Sequence, residues 1–266
     1  MFQYMKRALF FFCMALVARA QYSPDEMLKP YVYTNEFGET FPYRMSAPQF
    51  PAADRRYPLI LFLHGSGECG TDNLKQIKVG LPALLKSLLK RTEQVIVLAP
   101  QCQIGNWWVR RLARQPDYAA AKEAMPSLEV ALELCRHVAA QGLADTNRLY
   151  ITGLSLGGFG TWDAIQRDPG MFAAAVPICG GGDIRRVDVI RDMPVWVFHG
   201  TADKNVSVDC SRRMVEALKQ VGSRSVLYTE YEGAAHNVWD RTYGDPKLID
   251  WMLQQIKSKK PWWKFW

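Results

Sequence analysis

The chain has 266 residues, of which 48% are hydrophobic and 22% are charged, a balance typical of a globular protein with one large core. It contains no internal repeat, low-complexity block or linker-like run that would divide it into domains. The formal net charge is +7, but the basic excess lies at the two ends of the chain, so it does not indicate a nucleic-acid partner.

The first 20 residues have the layout of a secretory signal peptide. Lys6 and Arg7 precede an apolar run, residues 8–17, and an Ala-Arg-Ala sequence ending at Ala20 fits a small-x-small cleavage site. The run is shorter than the roughly 20 residues that a membrane-spanning helix needs. We therefore expect cleavage after Ala20 and a secreted or periplasmic protein with a net charge of +4. The alternative is an uncleaved anchor.

Predicted strands and helices alternate along the rest of the chain. Residues 31–45 alternate around Gly38 and predict an antiparallel hairpin. Apolar runs predict strands at residues 57–65, 93–100, 147–153, 171–179, 193–200 and 225–233. Helical spacing predicts helices at residues 81–91, 127–142, 208–222 and 246–259, and in the segment after Ser155. This order indicates an α/β fold with a mostly parallel central sheet and helices on both faces. The short connection at residues 180–193 leaves little room for a large lid.

The sequence Gly153-Leu154-Ser155-Leu156-Gly157 lies between a predicted strand and a predicted helix. A G-x-S-x-G motif at such a junction is typical of a nucleophile elbow, a strained turn that exposes a serine. The motif is weak when taken alone, because short patterns match by chance, and the alternative is a tight glycine-rich turn. Its position between strand and helix favours the elbow.

A serine nucleophile needs a base to take its proton, and that base needs an acid to orient it. In the chain order serine, acid, histidine, the base follows Ser155, where His199 and His236 remain. His199 ends a predicted strand ahead of the acid, so we interpret it as a packing residue and predict His236 as the base. Asp203 is the predicted acid. His64 precedes the motif and is interpreted as structural.

Two other aspartates, Asp183 and Asp209, remain alternatives for the acid. Donors for a developing oxyanion are expected in two places. One is the backbone N–H of Leu156, which follows the nucleophile. The other is the backbone N–H of Ser66, with Gly67 as a second choice, in the loop after the strand at residues 57–65.

The stretches FLHGSGECGTDN, VLAPQC, DTNRLYITGLSLGGFGTWD, VFHGTADKNV and AHNVWDRTYGDP carry a resemblance to a known group. Together they resemble the α/β-hydrolase superfamily, and within it the secreted carboxylesterase- and phospholipase-like proteins related to feruloyl esterases and polyhydroxybutyrate depolymerases. The resemblance implies a hydrolase domain over residues 21–260, with Ser155 as nucleophile, Asp203 as acid and His236 as base. The chain departs from its relatives at Cys69, where arginine is common, and at Ser207, where proline is common.

The predicted function is a serine ester hydrolase that uses no metal or organic cofactor and acts on a small-molecule or polymer-derived ester. One alternative is a serine peptidase of the prolyl-oligopeptidase type, acting on short peptides. Another is a noncatalytic binding protein on a hydrolase fold. The sequence carries no additional peptide-binding domain, which favours esters, and it retains all three predicted triad residues, which argues against the noncatalytic alternative.

Three tryptophans are candidates to line the substrate pocket. Trp107 and Trp108 follow the strand at residues 93–100, on the expected active-site side of the sheet, and Trp239 lies three residues after His236. Packing around the loops is the alternative for each of them.

Five cysteines follow the predicted signal peptide, and no CxxC or Cys/His spacing indicates a metal site. Cys69 and Cys102 follow strands that are neighbours in the expected sheet, so a disulfide between them is one prediction and two free thiols are the alternative. The final residues, 261–266, are rich in tryptophan and lysine and predict contact with a membrane surface. A mobile tail, or a tail folded on the domain, is the alternative.

Overall fold

A computed structural model describes residues 24–48, 51–52, 54–110 and 118–257. The predicted signal peptide and the aromatic tail at residues 261–266 lie outside these ranges. Within them, no helix combines the length and the apolar character needed to cross a membrane.

An eight-stranded mixed sheet lies at the centre of the protein, in the order β1-β2-β4-β3-β5-β6-β7-β8. The strands are β1 (Lys29–Thr34), β2 (Thr40–Met45), β3 (Tyr57–Leu63), β4 (Ile96–Pro100), β5 (Ala144–Leu154), β6 (Ala174–Ile178), β7 (Val195–Gly200) and β8 (Val226–Tyr231). The first two strands form the expected antiparallel hairpin, and β2 also pairs antiparallel with β4. The pairs from β4 through β8 are all parallel. The predicted mostly parallel α/β sheet is confirmed.

Helices cover both faces of this sheet. They are α1 (Pro24–Met27), α2 (Leu81–Leu89), α3 (Pro126–Ala140), α4 (Leu156–Arg167), α5 (Asp209–Gln220), α6 (Trp239–Gly244) and α7 (Pro246–Gln254). Residues of α3, α4 and α5 belong to one hydrophobic cluster, and residues of α2, α6 and α7 belong to a second one. The connection between β6 and β7 holds two short 3₁₀ turns, Ile184–Arg186 and Asp188–Ile190, so no lid is inserted there.

The strand β3 shows why the sheet is buried on both faces. All seven of its residues are buried. Because successive side chains of a strand point to opposite faces, Leu59, Leu61 and Leu63 enter one cluster while Ile60 and Phe62 enter the other. A continuous apolar run is the pattern expected of a parallel strand covered by helices on each side.

The parallel strands place their carboxyl ends at one edge of the sheet. The loops that follow β3, β5, β7 and β8 therefore meet there, and they carry Ser66, Ser155, Asp203 and His236 respectively. This is the edge at which open α/β sheets bind their ligands.

Candidate active site

Ser155 lies in a strained turn between β5 and α4. Its backbone φ is 54° and its ψ is −117°, a conformation that residues other than glycine rarely adopt. Its N–H donates to Ile178 O at 2.9 Å, so the neighbouring strand β6 supports the turn. A Cβ atom at Gly157 would lie 1.9 Å from Leu63 O, and one at Gly153 would lie 2.3 Å from Gly157 O. The two glycines of the motif are thus required by close backbone packing, as in a nucleophile elbow.

The three residues predicted as nucleophile, acid and base form a continuous hydrogen-bonded chain. His236 Nε2 lies 2.9 Å from Ser155 Oγ, and His236 Nδ1 lies 2.6 Å from Asp203 Oδ2. Both distances are within the reach that proton transfer between side chains requires. The two alternative acids lie elsewhere: Asp209 pairs with Arg212, and Asp183 pairs with Arg185.

Asp203 is surrounded by hydrogen-bond donors. Its Oδ1 accepts the backbone N–H groups of Asn205 at 2.8 Å and Val206 at 3.0 Å. Its Oδ2 contacts His236 and also His199, whose Nε2 lies 3.2 Å away. Burial alone would raise the pKa of Asp203, but the hydrogen bonds from His199, His236 and Val206 outweigh it and hold the pKa far below its usual value. Asp203 therefore stays ionised beside His236.

The interpretation of His199 as a packing residue accounts for its burial but misses this contact. Its side chain is fully buried, and the ring reaches the carboxylate of Asp203. The sequence carried one signal, the spacing of four residues between His199 and Asp203 across a strand end, which places both side chains near one edge.

The two predicted oxyanion donors lie on adjacent loops. Leu156 is the first residue of α4, and the first N–H groups of a helix have no acceptor within it. Ser66 begins a 3₁₀ turn, Ser66–Glu68, which follows β3. Because Leu63 of β3 pairs with Gly153 of β5, the two loops start side by side.

Hydrogen bonds to the loop after β4 fix the Ser66–Glu68 turn. Gln101 Nε2 donates to Glu68 O at 3.0 Å, and Gly70 N–H donates to Cys102 O at 2.9 Å. Gly67 itself is exposed, and a Cβ there would meet no neighbour.

His64 is a structural residue, as the sequence indicated. Its Nδ1 lies 2.7 Å from Gly65 O, and its Nε2 accepts the N–H of Cys102 at 3.0 Å. The ring therefore carries its proton on Nδ1 and joins the loops that follow β3 and β4. Complete burial lowers the pKa of His64 to about 4, so the ring is neutral near pH 7.

The three tryptophans predicted to line the substrate pocket lie in different environments. Trp239 packs edge-on against the ring of His236, with 5.4 Å between ring centres. Trp108 does not line the substrate side: it is 1% exposed, its indole N–H donates to His64 O at 2.9 Å, and it packs under Gly160. Its prediction as a pocket residue fails because the indole fills the core beneath α4. Trp107 is half-buried and packs on the edge of that same core.

An open depression of about 530 Å³ adjoins His236. Besides His236, its lining consists of Ala202, Lys204, Asn205, Ala235, Asn237 and Trp239. Alanine and tryptophan side chains form its apolar surface, and the lysine and asparagines are exposed at its rim. A ligand part placed here would lie directly beside His236.

Two groups of side chains within the described ranges bring potential metal ligands together. In the first, His64, Cys69 and Cys102 have donor atoms within 4.8 Å of one another, but both ring nitrogens of His64 are engaged with backbone groups. The second consists of Cys179 with Asp203 and His236. A metal at either place would have to break hydrogen bonds that fix the loops or orient His236.

The cysteines predicted to form a disulfide lie in contact as thiols. Cys69 Sγ is 3.2 Å from Cys102 Sγ, and both side chains are buried. This separation exceeds the length of a disulfide, about 2.05 Å. The loops are therefore close enough for a bridge, and its formation stays a prediction.

The chain is similar to proteins of several hydrolase groups. Residues 127–196, which include Ser155, match the prolyl oligopeptidase family. A "Putative carboxymethylenebutenolidase" of Methylorubrum extorquens is 29% identical over 77% of this chain and 74% of its own length.

Solved structures share the architecture over most of the described chain. A thermostable esterase superposes with a TM-score of 0.79 at 37% identity over 86% of this chain, which spans 63% of the esterase chain. A ferulic acid esterase superposes with a TM-score of 0.63 at 15% identity, over 85% of this chain and 98% of its own. An acylaminoacyl peptidase of Pyrococcus horikoshii gives 0.65 at 12% identity, over 93% and 44%. The sheet order, the serine turn and these similarities show that the chain has the α/β-hydrolase fold and is similar to esterases and peptidases that share it.

Proposed function

We propose that this protein is a serine hydrolase of carboxylic esters, with Ser155 as nucleophile, His236 as base and Asp203 as acid. The observation that carries the proposal is the hydrogen-bonded chain from Asp203 through His236 to Ser155, which ends on a strained turn. The 37% identity to a thermostable esterase supports an ester as the substrate.

The reaction follows from where the protons lie. His236 Nε2 takes the proton of Ser155 Oγ as this oxygen attacks the ester carbonyl. The N–H groups of Leu156 and Ser66 stabilise the negative charge on the carbonyl oxygen. His236 then returns the proton to the leaving alcohol, and an acyl group remains on Ser155. A water molecule, deprotonated by His236, releases the acid and restores the enzyme. Ionised Asp203 keeps a proton on Nδ1 of His236 throughout and stabilises the imidazolium that forms when Nε2 takes a second one.

The depression beside His236 is the proposed site of the alcohol part of the ester. Because Nε2 protonates the leaving oxygen, the leaving group must lie on the side of His236. Trp239 gives this site an aromatic wall, and Ala202 and Ala235 leave it wide. Esters of bulky or aromatic alcohols are therefore expected to react at least as well as methyl esters. Trp239→Ala should reduce kcat/KM for aromatic alcohol esters more than for methyl esters.

The experiment that tests the proposal is a hydrolysis panel on the purified protein and its Ser155→Ala variant. The panel contains acetyl to octanoyl esters, methyl ferulate and a short peptide amide. Ser155→Ala is expected to lower kcat by at least about a thousandfold, since the members of such a triad act as a unit. Ser207→Ala, which changes an exposed serine near Asp203, is the matched control and should retain full activity. Near-normal turnover by Ser155→Ala would reject the proposal.

The acid is tested by comparing Asp203→Asn with Asp209→Asn. Only the first change removes a contact to His236. If Asp209→Asn is the more damaging variant, the assignment of the acid is wrong.

A peptidase is the second candidate, and the prolyl oligopeptidase match over residues 127–196 favours it. The match includes Ser155 but neither Asp203 nor His236. The peptide member of the panel separates the two candidates: a peptidase would cleave the amide at a rate comparable to the best ester.

A further inference from the structure

A second histidine contacts the carboxylate oxygen that His236 uses. Asp203 Oδ2 lies 2.6 Å from His236 Nδ1 and 3.2 Å from His199 Nε2. His199 is the penultimate residue of β7, and its side chain, like that of Asp203, is fully buried. The triad described above has no role for this ring.

The surroundings of His199 fix one of its protons. Its Nε2 has two neighbours, Asp203 Oδ2 and Val206 O at 3.1 Å, and both atoms only accept hydrogen bonds. The Nε2 atom must therefore carry a proton. On the other side, Nδ1 lies 2.7 Å from Ser211 Oγ, which is also 2.9 Å from Gly180 O. Whichever of the two partners receives the hydroxyl proton of Ser211, Nε2 remains a donor.

We propose that His199 is a positioning residue that acts through Asp203, an inference that rests on the proposed role of Asp203 as the acid. The Nε2–H group of the ring is shared between Val206 O and Oδ2, and the ring, with Ser211 behind it, holds the carboxylate beside His236. Its N–H also withdraws charge from Oδ2. The carboxylate then stabilises a protonated His236 less strongly than it would with His236 as its single side-chain donor.

The other charged and titratable groups around His199 are either paired or neutral. On β8, Glu230 pairs with His199 in the sheet register, and its carboxylate is held by Arg212 of α5 at 2.7 and 2.8 Å. Cys179 follows β6, donates to His236 O at 3.3 Å, and has a pKa raised by burial, so it stays a neutral thiol. The remaining groups nearby are Tyr228 of β8 and Cys210 of α5, both with a pKa raised by burial.

Loss of the His199 donor is expected to change the pH dependence of kcat/KM. Without the His199 donor, Asp203 would hold the proton of an imidazolium at His236 more tightly. A higher pH would then be needed to free the base, so the acidic limb of the kcat/KM profile would move to higher pH.

The test compares His199→Phe with His199→Gln on the whole protein. Phenylalanine fills the space of the ring but donates no hydrogen bond, and we expect kcat to fall about tenfold or more and the acidic limb to rise by about half a pH unit or more. Glutamine keeps an N–H near the place of Nε2. His199→Gln should therefore have most of the wild-type kcat, and the acidic limb of its kcat/KM profile should lie at the wild-type pH. His137→Asn, which changes an exposed histidine of α3, should leave the limb where it is.

Two outcomes would overturn the inference. One is a folded His199→Phe protein, as judged by thermal unfolding, whose acidic limb has not moved. The other is an equal loss in the glutamine and phenylalanine variants, since that pattern indicates a role in packing alone. Asp203→Asn is measured in parallel: if it is inactive while His199→Phe is normal, this inference fails and the esterase proposal stands. If Asp203→Asn and Ser155→Ala are both active, the esterase proposal itself fails.

A spectroscopic measurement on the wild-type protein does not depend on any variant folding. Nitrogen-15 NMR of the imidazole rings distinguishes a protonated from an unprotonated ring nitrogen. The proposal requires a proton on Nε2 of His199 at a pH where the enzyme is active. An unprotonated Nε2 would exclude the donation to Asp203.

Discussion

Ser155 keeps its unusual backbone conformation because its glycine neighbours allow other strands to approach. Gly157 gives the clearest case, since Leu63 O occupies the place where a Cβ atom would be. Backbone atoms of β3 cannot yield to a new methyl group as a flexible side chain can. A single added carbon should therefore disturb both the turn and the sheet behind it.

We predict that Gly157→Ala lowers the free energy of unfolding by about 3 kcal/mol or more and removes most esterase activity. Gly244→Ala is the matched control, because nothing lies within 4 Å of the new carbon at the end of α6. That change should be neutral, or stabilising by up to about 1 kcal/mol. Urea unfolding and ester hydrolysis measure the two effects, and equal stability of both variants would contradict the packing argument.

His64 makes a pH-dependent contribution to stability. Its pKa is about 4 in the folded protein, because burial opposes its charge, against 6.5 in the unfolded chain. Between these values the unfolded chain binds a proton that the folded protein does not, so the free energy of unfolding falls as the pH is lowered. The expected slope from His64 is about 1.4 kcal/mol per pH unit, or about 3 kcal/mol from pH 6.5 to pH 4. The contribution is fully present above pH 6.5.

Urea unfolding at pH 4, 5, 6 and 7 checks this prediction against His64→Gln. The variant should be less stable at pH 7 but should lose less stability on acidification. Other titrating groups are common to both proteins and cancel in the comparison. Parallel curves for the two proteins would show that His64 does not titrate as described.

Among single residues, sequence order was enough to predict the three side chains, Ser155, Asp203 and His236, that the structure joins by hydrogen bonds. Each follows a strand of a parallel sheet, and such strand ends meet at one edge. The contact of His199 with Asp203 was not predictable, because it depends on how far the loop after β7 turns back. The burial of Trp108 was likewise not predictable, because it depends on the space beneath Gly160 and no local sequence pattern indicates that space.

Among the structural elements, the loops after β3 and β4 form one hydrogen-bonded unit. The 3₁₀ turn of Ser66, the ring of His64 and the backbone of Cys102 are connected by hydrogen bonds. The contact between Cys69 and Cys102 lies inside this unit, directly after the turn that presents Ser66. Whatever links these cysteines also fixes the proposed oxyanion loop.

We predict that oxidised glutathione converts Cys69 and Cys102 into a disulfide by thiol–disulfide exchange, with reduction of the glutathione. Closing a loop of this length stabilises a protein by about 3–4 kcal/mol in the chain-entropy description. Nonreducing peptide mapping should find the two peptides joined, and the melting temperature should rise. Cys135→Ser is the control and should leave both results unchanged. Two free thiols after prolonged oxidation would refute the bridge.

The predicted elements match the structure better in kind than in extent. The last helix was predicted to run over residues 246–259 but ends at Gln254, where the chain becomes extended. The six-residue helix α6 was not predicted at all. It depends on tertiary contacts, since Tyr243 is fully buried and its hydroxyl lies 2.9 Å from Thr152 Oγ1 of β5. A helix this short has little stability of its own.

Across the whole molecule, Arg148 links segments that are far apart in the chain. Its guanidinium donates to Glu93 through two hydrogen bonds of 2.6 and 2.9 Å and to Leu253 O at 2.8 Å. The nearby Tyr150 hydroxyl donates to Gln255 O at 2.8 Å. The end of α7 is thereby fastened to the amino-terminal half of β5, away from the edge that carries Ser155.

We predict that Arg148→Met lowers the free energy of unfolding by about 1–3 kcal/mol, because it removes charge-assisted hydrogen bonds from a partly buried carboxylate. Activity below the unfolding transition should be unchanged. Arg136→Met breaks an exposed pair with Asp168 and should cost about 1 kcal/mol or less. Urea unfolding and ester hydrolysis are the measurements. A large drop in kcat for folded Arg148→Met would show that the two edges of the sheet are coupled.

The alternation of strands and helices was sufficient to predict the class of the whole fold. It did not predict that β2 pairs with β4. Antiparallel pairing between segments that are distant in the chain produces no pattern in the sequence of either strand. The substrate was also beyond the sequence, since the depression beside His236 is built by loops whose paths follow from packing.

The order of the strands also sets when the active site can first exist during synthesis. Ser155 ends β5 in the middle of the chain, whereas His236 arrives only after β8, the last strand at one side of the sheet. A nascent chain that ends before β8 carries Ser155 but lacks His236, the proposed base. Because a domain generally folds as a unit, we expect an incomplete chain to hydrolyse no ester. Under the proposed mechanism, hydrolysis requires that the carboxyl-terminal part of the sheet has been made and folded.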